Sequence, residues 1–220
     1  IIEVLPSLVQ LIGNGNYFKN WAGTKNNSKV SIYIDDTFIK SEVGEVLFTE
    51  YGLSGICIFN LSSIATRALH QRKKVEITIN LLNEIENLSE FLDLRYKKIG
   101  DKKLEDFFEG LIAHKLICTI LKVIKLDNRN YKDLSENEKK ILIDSICNYK
   151  VLIIESKSFK DAQVCSGGID TSEVNAKTFE SKIVKNLYIV GELLDVDGIC
   201  GGYNLGFAWI SGMNAGSSAK

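Results

Sequence analysis

Proline is almost missing from this chain: Pro6 is the only one among 220 residues. A proline-rich linker or polyproline ligand is therefore excluded, and the turns must be made chiefly by the 17 glycines. Histidine is nearly as scarce, at two, which leaves little material for a zinc site or a Ser-His-Asp triad. His70, beside Gln-Arg-Lys-Lys, reads as a solvated surface residue, and His114, inside a helical pattern, as surface or packing. Cysteine pairs with metal-ligand spacing are absent too. Cys57, Cys118, Cys147, Cys165 and Cys200 are odd in number and widely scattered, so no metal centre is expected, and they read as reduced thiols of a cytoplasmic protein. An excess of one charge is lacking as well: 27 basic against 28 acidic residues leave a net charge of -1, which favours neither nucleic acid nor an anionic membrane as partner. No apolar run approaches the roughly 18 residues of a membrane span. No signal-peptide pattern opens the chain. It begins at Ile1 directly in an apolar run and reads as a processed or excised piece.

What is present alternates between two periods. Residues 1–12 are extended and broken by Pro6, which suits a connection or an edge strand. Gly13-Asn-Gly-Asn16 and Gly23-Thr-Lys-Asn-Asn-Ser28 are turn clusters, and neither has the form of a phosphate loop. From Lys29 to Phe48 the period is two, with Val30, Ile32 and Ile34 on one face and Asp35-Asp36 as the turn of a hairpin. Those adjacent carboxylates point to opposite sides of a strand and cannot converge as catalytic acids. Ile56 to Leu69 reads as a helix with Ile56, Phe59, Ile64 and Ala65 at helical spacings, and Val75 to Leu81 as a strand. From Glu84 to Lys150 the period is helical: Leu88, Phe91 and Leu92; Leu104, Phe107, Phe108, Leu111 and Ile112; Leu116, Ile120, Val123 and Ile124. Ser135 with Glu138 is a capping box opening a last helix through Ile141, Leu142 and Ile146. Tyr149 to Ser156 returns to strand. This order predicts an α+β chain: a β-rich, barrel-like domain of residues 1–83 and 148–170, interrupted by a helical subdomain of residues 84–147, with residues 171–220 following.

The stretch from Asn186 to Gly212 carries the chemistry. It reads as a short buried strand, Leu187 to Val190, then Gly191-Glu192, an acidic loop, a glycine turn at Gly201-Gly202 and a helix opening near Asn204. A carboxylate after a strand-ending glycine accepts hydrogen bonds from ligand hydroxyls. Glycines let a ligand approach the backbone, and a helix N-terminus offers free amides and positive charge. Ala208, Gly212 and Gly216 form a smooth stripe for close packing. On spacing alone, an ordinary strand-turn-helix corner accounts for the stretch equally well. Ser166-Gly167-Gly168 is a weaker second candidate.

The segments Gly167-Gly-Ile-Asp170, Phe179-Glu-Ser-Lys182, Leu187-Tyr-Ile-Val-Gly-Glu-Leu-Leu-Asp-Val-Asp-Gly198 and Gly201-Gly-Tyr-Asn-Leu205 closely resemble the C-terminal region of the BaiN-like, aminoacetone-oxidase-type flavoproteins. Leu5-Pro-Ser-Leu-Val9, Gly44-Glu-Val-Leu-Phe-Thr-Glu-Tyr-Gly-Leu-Ser-Gly55 and Leu104-Glu-Asp-Phe-Phe-Glu-Gly110 resemble the same family, in its order, from end to end. The resemblance implies an FAD-dependent NAD(P)H oxidoreductase acting on a small-molecule substrate. It also implies that the N-terminal Rossmann half, with its glycine fingerprint, lies outside this chain and is its partner. Residues 171–220 would then be a strand-turn-helix piece of the FAD domain. By the same resemblance Gly191 and Glu192 match a pair whose acid meets a ribityl hydroxyl. Gly201, Gly202, Tyr203, Asn204 and Leu205 match the turn near the flavin ring, Gly167 and Gly168 a second glycine pair, and Asp195 a secondary polar contact. No catalytic residue is implied. Cys165 stands where related sequences usually have Thr, and reads as a small buried cysteine. The alternative is a non-catalytic module for packing, substrate shielding or subunit contact, with no flavin binding of its own. A pyridine-nucleotide or sugar-phosphate site at the same turn lacks a phosphate fingerprint.

Overall fold

The computed structural model describes residues 1–219. Alternation builds its centre. Val30 and Ile32 of β3 (Thr24–Ile34), Val75, Ile77 and Ile79 of β6 (Val75–Asn80), and Val151 and Ile153 of β7 (Tyr149–Ser156) are buried, while the residues between them face outward. Antiparallel register stacks them in layers, Ile79 between Val30 and Tyr149, and Ile77 between Ile32 and Val151. A one-residue slip would turn every one of them to water. β2 (Leu11–Gly13), β4 (Thr37–Phe48) and β5 (Gly52–Ser54) complete a closed barrel in the order β2-β5-β4-β3-β6-β7, with β7 returning to β2. Closure removes the exposed sheet edge.

The Asp35-Asp36 turn forms as expected. Both residues have positive φ, +48° and +64°, the geometry that a tight hairpin needs and that Asp tolerates. The Lys74 ammonium lies 2.6 Å from Asp36, and the Lys74 amide donates to Asp35 at 3.0 Å. The core also includes Phe18 and Trp21 of α1 (Phe18–Trp21), with the Trp21 ring centroid 4.8 Å from that of Phe48 and 5.4 Å from that of Tyr149. The barrel core also receives α2 (Ile56–His70). Its buried face is Cys57, Ile58, Leu61, Ala65 and Ala68; of the expected set Ala65 is fully buried and Ile64 packs against the core, but Ile56 is 62 % exposed and Phe59 only half-buried. The helix start sets this phase: a Cβ at Gly55 would stand 2.3 Å from the Glu45 carbonyl, so β4 and the helix entry touch backbone to backbone.

Between β6 and β7 the chain is helical: α3 (Leu88–Ile99), α4 (Leu104–Phe107), α5 (His114–Val123) and α6 (Glu136–Cys147). Leu92, Phe107, Phe108, Leu116, Ile120 and Leu142 join the same hydrophobic core as the barrel. The Ser135–Glu138 capping box is present in both directions. Val123 and Ile141 are 46 % and 42 % exposed, because they lie at the margin of stripes whose centres already face the core.

A second, smaller core holds the remainder: Val174, Phe179, Ile189, Leu194 and Ala215. Beside it β1 (Ile2–Ser7) pairs antiparallel with β8 (Val164–Gly168), Pro6 opposite Cys165, the edge position a proline requires. Leu187–Val190 runs extended but forms no strand ladder. Tyr188 makes one bridge to Glu180, and the Ile189 amide donates to Phe179 at 2.9 Å; a ladder needs a neighbour that continues alongside, and none does among the described residues. The C-terminal helix α7 (Tyr203–Ser218) buries Ser211 and Ala215. Gly212 and Gly216 face open space, so the expected glycine stripe is not its packing face. No helix among the described residues is long and apolar enough to cross a membrane.

Candidate functional site

The site is assembled where the end of β8, the loop of residues 190–202 and the start of α7 meet. Glu192 is presented by a short 3-10 turn, Gly191–Leu193, held to α7 by the buried Gly191 amide donating to the Ser211 hydroxyl at 3.0 Å. Ser211 in turn donates to the Phe207 carbonyl at 2.7 Å. Gly191 has φ +61°, and a Cβ there would lie 3.3 Å from that of Ala208, so the turn needs glycine to sit on the helix. Residues 193–195 then run alongside β8: the Ile169 amide donates to Leu193 at 2.8 Å and the Asp195 amide to Ile169 at 2.9 Å.

The acidic loop is pinned at three points. Asp195 accepts from the Gly167 amide at 2.9 Å and from Arg67 of α2 at 3.1 Å. Gly198 and the Asn204 side chain pair reciprocally, at 2.7 Å and 3.0 Å, as a backbone strand would. The Cys200 amide donates to Asn60 of α2 at 2.9 Å. The loop ends in two glycines of positive φ, Gly201 at +126° and Gly202 at +87°. A Cβ at Gly202 would meet nothing within 4 Å, so this glycine faces open space. No side chain caps α7, which leaves its first amides and the positive end of its dipole available.

These residues enclose a cleft of about 320 Å³. Of the residues expected from sequence, Glu192, Gly201, Gly202, Asn204 and Leu205 line it, joined by Leu8, Gln163, Ile199 and Cys200. Tyr203 does not line it and is 62 % exposed. Gly167, Gly168, Gly191 and Asp195 do not line the cleft, and each is engaged by the protein itself. A Cβ at Gly167 would lie 2.0 Å from the Glu3 carbonyl oxygen, and one at Gly168 2.6 Å from that of Leu193. The pair is glycine because two backbones cross there.

Glu192 accepts a hydrogen bond from the Cys165 amide. Burial, and after it the Glu192 carboxylate, pushes the Cys165 thiol above its ordinary range; burial does the same to Cys200. Both thiols are therefore protonated and poorly nucleophilic at neutral pH. His114 is a surface residue, 3.5 Å from Cys118, and His70 is exposed as expected and pairs with Glu3 at 2.9 Å. No cluster of His, Cys, Asp or Glu that could hold a metal exists among the described residues. Larger clefts occur elsewhere, one of about 460 Å³ lined by Glu105, Asp106, Glu109 and His114, where the open Gly110 turn and the start of α5, which no side chain caps, also lie beside the acids. The smaller cleft is distinguished by gathering Glu192, Gly201, Gly202, Asn204 and Leu205, the residues expected from the sequence. Arg67, Asp197, Asn60 and Gln163 belong to its walls or supports and were missed in the sequence, whereas Ser166, named there within the weaker glycine-pair candidate, takes its place as the partner of Arg67. The available signal was the set of large polar side chains Asn60, Arg67 and His70 along a helix otherwise made of apolar and small hydroxyl residues.

Residues 5–164 match the family described as HI0933-like protein barrel and H2TH domain. Over 220 residues the chain is 34 % identical to a 3-dehydro-bile acid delta(4,6)-reductase of Clostridium scindens, covering 98 % of this chain and 54 % of that protein. It is 28 % identical over 166 residues to the ribosomal RNA dihydrouridine synthase of Escherichia coli, covering 76 % of this chain and 40 % of the relative. The same enzyme of Haemophilus influenzae is 28 % identical over 172 residues, with 78 % and 41 % covered. The chain thus spans about half the length, or less, of the curated relatives it matches.

Proposed function

The chain belongs to the HI0933-like barrel and H2TH family, and from that premise we propose that it supplies the ribityl and ring side of an FAD site in a flavin-dependent oxidoreductase. The observation that carries this reading is the convergence of the uncapped α7 N-terminus, the open Gly202 turn and the Glu192 carboxylate on one cleft. These residues fit the group. Glu192 would accept from ribityl hydroxyls, and the amides after Gly202 would donate to the pyrimidine edge, where the helix dipole favours negative charge. Leu205 and Ala208 would exclude water from one side. The bound cofactor would supply hydride chemistry, with NAD(P)H as electron donor. Gly167, Gly168 and Asp195 shape the site indirectly, since their polar and steric capacity is taken by β1, Arg67 and the 193–194 carbonyls.

The complementary half of the site would come from a Rossmann-type partner segment. α7 presents Leu205, Trp209, Ile210 and Met213 at 71 %, 75 %, 61 % and 68 % exposure, an apolar face that such a segment would cover. Within this scheme residues 1–83 and 148–170 are the barrel insert, 84–147 the helical subdomain and 171–220 the FAD-domain segment. The substrate is a small molecule rather than RNA. The reductase relative aligns over nearly the whole chain, the synthases over three quarters, and a net charge of -1 provides no field for a polyanion. The five free thiols fit a reducing, cytoplasmic setting.

The test is purification of the full-length protein and its absorption spectrum. A bound, reducible flavin is expected; a colourless, correctly folded protein would sink the reading. Titrating FAD into the 220-residue chain addresses the alternative of a non-catalytic module. Weak or no binding is expected, because the adenosine side of the site is not in these residues.

A further inference from the structure

Resting on the flavin-site reading, we propose that Arg67 is a positioning residue for that site, holding the acidic loop and the end of β8 where the cleft needs them. The two-sided build of α2 carries the argument. One face, Ile58, Leu61, Ala65 and Ala68, is buried in the barrel core. The other side reaches the segments around the cleft: Asn60 accepts from the Cys200 amide at 2.9 Å, Ser62 from the Val9 amide at 3.2 Å, and His70 meets Glu3 at 2.9 Å. Among the described residues of α2, Arg67 is the one that joins two segments of the site at once, the end of β8 and the acidic loop. Its Nε donates to Ser166 Oγ at 3.0 Å and its Nη2 to Asp195 Oδ1 at 3.1 Å, with Asp197 Oδ1 at 3.8 Å. Asp195 also takes the Gly167 amide, and Asp197 takes the Ser7 hydroxyl at 2.9 Å.

Both aspartate side chains are largely buried, 18 % and 16 % exposed, and Arg67 is the cation bonded to Asp195 and nearest Asp197 among the described residues. Removing the guanidinium leaves two largely buried carboxylates without that cation, which the loop relieves by turning out to water. That movement carries with it Gly198 and Cys200, and so the Asn204 contact and one wall at the α7 N-terminus. Lysine keeps the charge but not the planar fork that spans Ser166 and Asp195 together.

The test uses Arg67→Met, Arg67→Lys and, should the first not fold, Asp195→Asn. Amide hydrogen exchange is read in the 220-residue chain without flavin; flavin affinity and the visible spectrum are read in the full-length holoprotein. Arg67→Met is expected to speed exchange at Gly167, Gly198 and Cys200 while Ile77 and Val151 of the barrel stay protected. In the holoprotein it weakens flavin binding about tenfold, the loss of one charge-assisted contact, and shifts the visible bands, with Arg67→Lys intermediate. Unchanged exchange at those amides overturns the positioning role. Faster exchange with unaltered affinity and spectrum in a flavin-loaded protein overturns its link to the cofactor. A full-length wild type without flavin defeats the underlying reading instead, and is told apart because the exchange result in the shorter chain still stands.

Discussion

Replacing Gly167 by Ala asks whether this glycine serves the protein's own packing or a ligand. At φ +99° an alanine is strained, by about 1–2 kcal/mol on the usual scale for left-handed backbone. The new Cβ would also lie 2.0 Å from the Glu3 carbonyl oxygen and 2.7 Å from its carbon. Both are backbone atoms, so no side chain can swing away, and β1 must retreat by roughly an ångström. Overpacking of this kind costs about 1–3 kcal/mol more, for a total of about 2–5 kcal/mol. Gly202→Ala is the internal control: its φ is +87°, but nothing lies within 4 Å of the added carbon. Only the backbone strain applies, about 1–2 kcal/mol. Urea denaturation of the two variants, with hydrogen exchange at Leu5 and Ser166 to localise the loss to the β1–β8 pair, measures the difference. If Gly167→Ala costs no more than Gly202→Ala, or if β1 exchange is unchanged, the backbone crossing is not what requires glycine at 167, and a role toward a ligand would return.

Three further outcomes follow from the same structure. Ile77→Ala, fully buried between Ile32 and Val151, should destabilise the chain by about 2–5 kcal/mol, whereas Ile154→Ala, 53 % exposed on the outer barrel face, should stay near 0.5 kcal/mol; equal losses in a urea melt would contradict the barrel register. The Ser135 amide and hydroxyl hold the Glu138 carboxyl below its ordinary value of 4.5. Its cap is therefore complete above that pH and is lost as pH falls through the lowered folded value, because the unfolded chain binds the proton first. Glu138→Gln should remove this part of the acid dependence of stability, and an unaltered pH profile would refute it. Finally, burial pushes the Cys57 thiol up to about 11, and burial with Glu192 raises Cys165. Alkylation near neutral pH, followed by peptide mass spectrometry, should find Cys57 slowest and Cys165 faster in Glu192→Gln; no acceleration would show that the carboxylate does not act on that thiol.

Local patterns made much of this protein legible beforehand. Alternation at Val30, Ile32, Ile77 and Val151 marked the barrel strands, because a period of two has one solution when one face must be dry. The Asp35-Asp36 turn and the Ser135–Glu138 cap were readable because their hydrogen bonds close within a few residues. The phase of α2 was not: Ile56 and Ile58 are equally apolar, and the side that is buried depends on how Gly55 meets Glu45, distant in sequence but touching in space. The strand expected at Leu187–Val190 needed a neighbour that the local pattern could not supply.

The candidate site divides the same way. The glycine turn, the carboxylate at 192 and the helix after it were visible as a sequence motif, since each is a property of residues a short distance apart. Whether a given glycine faces a ligand or another backbone was decided only by tertiary structure, which sets Gly202 in open space and presses Gly167 against Glu3. Arg67 lies 99 residues from Ser166 and 128 from Asp195, so no local pattern could join them. Sequence determined which residues could carry charge, turn the chain or bury a face; the packing of α2 between the barrel and the C-terminal loop determined which of them meet, because the energy of an ion pair or a steric contact depends on separation in space and not along the chain.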